Sequence, residues 1–182
     1  MGGDLAMILE EILTEIRTLG RYGNDYKPHK HLCLMTAINY ATKNKTRLVV
    51  YDDYFVNTYT SLFNKYASKD DRNRPYNPFF HLKTSSLWKL VPVRGMESEL
   101  EETSTVGGPG KLRELVDHVE IEKSLYDLII EEEKREIIEN TIIEILQMRK
   151  KEDSVIYERI NYIVNDDKPN DFVSYLNSIH SM

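Results

Sequence analysis

Apolar residues spaced three and four apart recur through most of this chain, and that period constrains the fold more than any other feature. Leu5, Ile8, Leu9, Ile12, Leu13 and Ile16 predict an amphipathic helix over residues 4–19, with Asp4 as N-cap and Gly20 as stop. Pro28 suits a first helical turn, and Leu32, Met35, Ile38 and Ala41 give the helix it opens a buried face ending near Thr42, where Cys33 serves as a small apolar residue. Asp52 or Asp53 caps a helix to about Tyr66, with Tyr54, Phe55, Tyr59, Leu62, Phe63 and Tyr66 on its apolar face. A long helix over 133–148 turns Ile137, Ile138, Ile142, Ile145 and Leu146 inward. Shorter helical patterns fall at 111–116, 121–130, 154–164 and 171–179.

Strand signals are few. Residues 47–51 read as a β-branched strand, and Phe79 to Lys83 with Leu87 to Val91 read as two short strands joined through Thr84-Ser85-Ser86. Between them and the next helix, residues 93–110 carry four glutamates and then three glycines and a proline, which predicts little order. The expected class is therefore α+β, mainly helical with a small antiparallel β-hairpin or sheet. The expected division is an N-terminal helix over 1–20, a central domain over 21–150 and a helical appendage over 151–182.

Composition limits the partners. No run approaches the ~20 apolar residues of a membrane span, and Asp4, Glu10, Glu11 and Glu15 interrupt any signal-peptide pattern, so a cytoplasmic protein with no membrane partner is expected. A single cysteine excludes an internal disulfide and a multi-cysteine zinc site. The net charge of −6 conceals a segregation: residues 17–94 carry 14 Lys plus Arg against 5 acids, and residues 95–182 carry 10 against 21. The first part has the charge of a phosphate-binding face, and the second points away from DNA or toward a partner.

The histidines form no metal-binding helix motif, and the glycines at 107, 108 and 110 miss the spacing of a phosphate loop. Asp25-Tyr26-Lys27 matches the Asp-x-Lys element of carboxylate nucleases but lacks the preceding apolar strand. No cofactor and no catalytic centre are expected. What stands out is the start of the second helix, where His29, Lys30 and His31 sit at the positive end of a helix dipole. The stretch Arg74-Pro75-Tyr76-Asn77-Pro78-Phe79-Phe80-His81-Leu82-Lys83 also stands out, because it sets aromatic residues between cations.

These two stretches carry a resemblance. Lys27-Pro28-His29-Lys30-His31-Leu32-Cys33-Leu34 is similar to the Pro-His-Lys-Pro-Leu-Leu-Leu opening of the sulfur-binding domain of phosphorothioation-dependent type IV restriction endonucleases. Asn77-Pro78-Phe79-Phe80-His81-Leu82 with Leu87-Trp88-Lys89-Leu90 resembles its Pro-Phe-x-x-Leu and Phe-Trp-x-Leu segments, and residues 105–115 resemble its Ser-x-x-Lys-Leu-Arg helix entry. The resemblance implies a recognition module that binds double-stranded DNA carrying phosphorothioate, in which sulfur replaces a non-bridging phosphate oxygen. It implies a restriction-system role, with a nuclease domain or subunit as the further partner it allows. It also assigns Lys27, His29, Lys30 and Arg21 to the DNA phosphate and Tyr76, Asn77, Pro78 and His81 to the sulfur pocket. The chain differs from the family pattern at Asn77, where an aromatic is usual, and at His81, where a small residue is usual. Arg72, Arg74, Lys83 and Lys111, on flanking loops, are candidates for base or backbone contacts. Without the resemblance, the basic face also fits a DNA-binding module with no sulfur selectivity, and the acidic helices fit a module that docks a protein partner.

Overall fold

The structure, a computed structural model, describes the backbone of residues 2–22 and 25–165 and the side chains of residues 8–21 and 26–149. The first helix, α1, spans Gly2–Thr18, so Asp4 lies inside it and not at its cap. Ile12, Leu13 and Ile16 are buried, and the chain turns at Gly20, whose φ of +73° suits glycine. A Cβ there would stand 2.4 Å from the Lys27 carbonyl oxygen, while the Gly20 carbonyl accepts from the Lys27 N–H at 2.9 Å. The intervening loop is a minimal ladder of β1 (Arg21–Tyr22) and β2 (Asp25–Tyr26).

Helix α2 (His29–Asn44) starts on Pro28 and ends on Lys45 in the left-handed region, and β3 (Leu48–Val49) follows. Helix α3 (Asp53–Tyr66) is capped as expected: the Asp52 carboxylate accepts from the Phe55 N–H at 2.9 Å. After a loop comes α4 (Tyr76–His81), then a 3₁₀ turn over Leu82–Thr84 and strand β4 (Trp88–Pro92).

This corrects the expected hairpin. Pro75 and Pro78 occupy the cap and the first turn of a helix, where proline is tolerated, so Phe79 and Phe80 are helical. Strand β4 pairs instead with β5 (Val116–Ile121), and the sheet order is β3-β5-β4, antiparallel throughout. The sequence pattern hid β5 because Asp117, His118 and Glu120 interrupt its apolar residues. Val91 pairs with His118 but Pro92 with Val116, so Asp117 is an extra residue. That bulge lets Val116, Val119 and Ile121 all face the core despite their uneven spacing.

The segment over 93–110 is also built. It contains α5 (Glu97–Glu102), buries Leu100 and Val106, and leads into α6 (Pro109–Leu115). Beyond the sheet lie α7 (Lys123–Ile129) and one continuous α8 (Glu132–Asn165), which absorbs the helices expected separately at 133–148 and 154–164. Ile138, Ile142 and Leu146 face inward, whereas Ile137 is exposed. The helix expected over 171–179 lies outside the described residues. Among the described residues one core joins the helices and the three-stranded sheet, with Phe79 edge-on to Tyr51, Phe55 and Trp88 within it. No helix among the described residues is long and apolar enough to cross a membrane.

Candidate nucleic-acid interface

The first turn of α2 sorts its three basic-type residues onto different sides, because neighbours on a helix are ~100° apart. His31 points inward and is fully buried. Its Nε2–H donates to the Ile16 carbonyl at 2.6 Å and its Nδ1 accepts from the Tyr26 hydroxyl at 2.5 Å, so the neutral tautomer satisfies both partners. Burial pushes its pKa down to about 4. His31 thus pins α1 and β2 to α2 and contributes no charge to a ligand.

His29 is half-buried and stacks on Phe63 with centroids 6.4 Å apart. Burial lowers its pKa, against the pull of the Asp71 carboxylate and a hydrogen bond to the Arg72 backbone. That packing makes it a brace between α2, α3 and the loop of residues 67–75. Lys30 takes the remaining direction: its Nζ reaches the Thr84 hydroxyl at 3.3 Å, across 54 residues of sequence.

That reach joins the two sequence stretches. Of the second stretch, the aromatic residues are core: Phe79 and Phe80 are fully buried, and the Trp88 indole N–H donates to the Phe79 carbonyl at 2.8 Å. Pro78 is buried as well, Tyr76 is half-buried and Asn77 is exposed. His81 closes α4, and its Nε2 lies 3.4 Å from the Thr105 hydroxyl. Lys83 sits over the Phe80 ring at 4.2 Å and donates to the Thr103 carbonyl at 3.2 Å. The Thr84 hydroxyl, which accepts from Lys30, donates to the His81 carbonyl at 3.2 Å. Lys30, His81 and Lys83 therefore share one patch with three threonines. The buried Phe80 ring lies beneath it, under the Lys83 ammonium, and its exposed side chains are cationic or hydroxyl-bearing.

The other predicted residues are placed as follows. Arg21 and Lys27 are exposed at the open end of the small ladder, and Arg72 and Arg74 are exposed on the 67–75 loop. Lys111 is bound by acids, lying 3.1 Å from Glu99 and 3.8 Å from Glu114. Its neighbour Arg113 instead lies over the Tyr51 ring at 5.2 Å. Of Asp25-Tyr26-Lys27, the Asp25 side chain lies outside the described residues, and the Tyr26 hydroxyl is spent on His31.

Sequence reasoning missed the clasp that holds the 67–75 loop. Arg149 of α8 meets Asp71 at 3.0 Å and donates from Nε to the Tyr26 carbonyl at 2.9 Å. Asp71 in turn accepts from the Ser68 N–H at 2.9 Å. A residue 78 positions away leaves no local pattern to read. Thr84 and Thr105 were also missed, since a hydroxyl in a loop carries no spacing signal.

Comparison with known proteins agrees with this architecture. The family described as "ScoMcrA-like, DNA sulfur-binding domain" matches residues 7–149, and the chain belongs to that family. Among solved structures, the chain is similar to the "Sulfur binding domain of SprMcrA complexed with phosphorothioated DNA", with a TM-score of 0.53 and 21% identity over 74% of this chain and 83% of that one. At that identity the likeness is one of fold. No curated protein matches the chain.

Proposed function

We propose that this chain binds double-stranded DNA carrying a phosphorothioate, as the recognition module of a modification-dependent restriction system, with the nuclease supplied by another domain or subunit. The observation that carries the reading is the 3.3 Å approach of Lys30 to Thr84, in a chain of the DNA sulfur-binding family. It sets the basic start of α2 beside the α4 segment, so that one phosphate can meet cations and an apolar wall together.

The two parts do different work. Lys30, with Lys27 and Arg21 nearby in sequence, supplies affinity for any phosphate, and that part weakens as salt rises. His29 acts by holding the α2 start against Phe63. Tyr76, Asn77, Pro78 and the ring edge of His81 supply preference for sulfur. A sulfur atom is larger and poorly hydrated, whereas an oxygen placed on the same apolar wall forfeits water hydrogen bonds at about 1–3 kcal/mol. Arg72 and Arg74, exposed on the 67–75 loop, and Lys83 of the patch meet base edges or further phosphates.

Duplexes identical except for one phosphorothioate, compared at fixed salt, test this. The modified duplex binds more tightly; equal affinity would overturn sulfur recognition. Lys30→Ala weakens both duplexes by about tenfold, the cost of a charge-assisted hydrogen bond. Pro78→Ala chiefly erases the difference between them. Parallel losses in the two variants would refute the division of labour.

A further inference from the structure

His81 sits where its charge state matters. It ends α4, its ring packs edge-on to Phe80 with centroids 5.1 Å apart, and its Nε2 faces the Thr105 hydroxyl. Lys30 approaches from α2 through Thr84, which is itself hydrogen-bonded to the His81 carbonyl. Lys83 flanks it from the 3₁₀ turn, and the loop after α5 presents Thr103 and Thr105. The charges that act on the ring are those of Lys30 and Lys83. Among the described residues no carboxylate pairs with it.

We propose that His81 is the third cation of a phosphate cradle formed with Lys30 and Lys83, and that it takes up one proton from solvent when a DNA phosphate enters. This rests on the DNA-binding reading above and gives His81 a role beyond the apolar wall. In the free protein, burial and the two lysines favour the neutral ring. An anion between the lysines cancels their repulsion and accepts a hydrogen bond from the new imidazolium N–H. Because the complex then holds more protons than the free protein, affinity must rise as pH falls. The ceiling for one such group is about tenfold per pH unit. The phosphate oxygens are common to modified and unmodified DNA, so the proton is taken up with both duplexes.

The test is the dissociation constant of a rhodamine-labelled duplex at about pH 8 and about pH 6, at fixed salt, for the wild type and His81→Gln. The wild type tightens by about threefold or more, within the linkage ceiling, and the variant loses that response. A flat wild type, or an equal response in the variant, overturns the proposal. If His81→Gln does not fold, titration calorimetry of the wild type in two buffers of different ionisation enthalpy decides: proton uptake supports the cradle, and none refutes it. Equal affinity for the two duplexes with proton uptake retained would sink sulfur selectivity and leave the cradle standing. Binding of neither duplex sinks both.

Discussion

Acidification should destabilise this protein through His31, and the size of the effect follows from its surroundings. The ring is fully buried, donates to the Ile16 carbonyl and accepts from Tyr26, so protonation destroys one hydrogen bond and buries a charge. Its pKa is about 4 in the folded chain, against an ordinary 6.5 when unfolded. The unfolded state therefore binds the proton first as pH falls. The contribution of His31 is fully present above 6.5 and is lost as pH falls from there toward 4. Between about pH 7.5 and about pH 5, these two values give a loss of about 2 kcal/mol. Urea unfolding at both pH values measures it. Other groups titrate too, including His29, whose lowered pKa acts in the same direction, so the comparison is with His31→Gln. Glutamine offers a donor and an acceptor but no titration. The variant is less stable at neutral pH and loses about 2 kcal/mol less on acidification. Equal losses in both proteins would refute a neutral, buried His31.

Three further outcomes test the packing around the interface. Gly20→Ala strains a positive φ and drives a Cβ to 2.4 Å from the Lys27 carbonyl oxygen; a loss of about 1–3 kcal/mol is expected in chemical denaturation. The Tyr59 hydroxyl is buried without a partner among the described residues, so Tyr59→Phe should be neutral or stabilising by up to about 1 kcal/mol, and a clear loss would reveal a partner. Arg149→Ala leaves the Asp71 side chain, 2% exposed, without its cation; the cost is about 3–5 kcal/mol, and replacing both residues by apolar ones recovers much of it.

Much of the helical frame was legible because its signals are local. Asp52 precedes an aromatic period and caps α3, and the isoleucines of α8 repeat over a length that only a helix can use. The sheet was not legible in the same way. A short run such as Phe79-Phe80 fits a strand or a buried helix turn equally well by period, and the deciding signal was the placement of two prolines within one helical turn. Strand β4 had no local partner to betray it, since Trp88 pairs with Ile121. The fate of His31 could have been read: it shares a stripe with Leu34 and Ile38, three and seven residues on, and both are buried in α2. The approach of Lys30 to Thr84 could not, because it depends on where α4 ends after the whole core has packed.

The segregation of charge along the sequence is partly reflected in the ion pairs. Cations of the acidic part are matched with acids of the same part: Lys111 with Glu99 at 3.1 Å, Lys123 with Asp127 at 3.0 Å and Lys134 with Glu131 at 2.8 Å. In the basic part, the acid Asp71 is matched by Arg149, drawn from the acidic part. Several minority charges are thus neutralised at contact distance. At the patch around Lys30 the nearest charges are the cations Lys30 and Lys83, which the net −6 of the chain does not reveal. Their field steers a polyanion over about one Debye length, roughly 8–10 Å at ordinary salt. On the proposed reading, the groups inside that distance divide the work: Lys30, His81 and Lys83 hold any phosphate, and the preference for sulfur is left to the α4 wall.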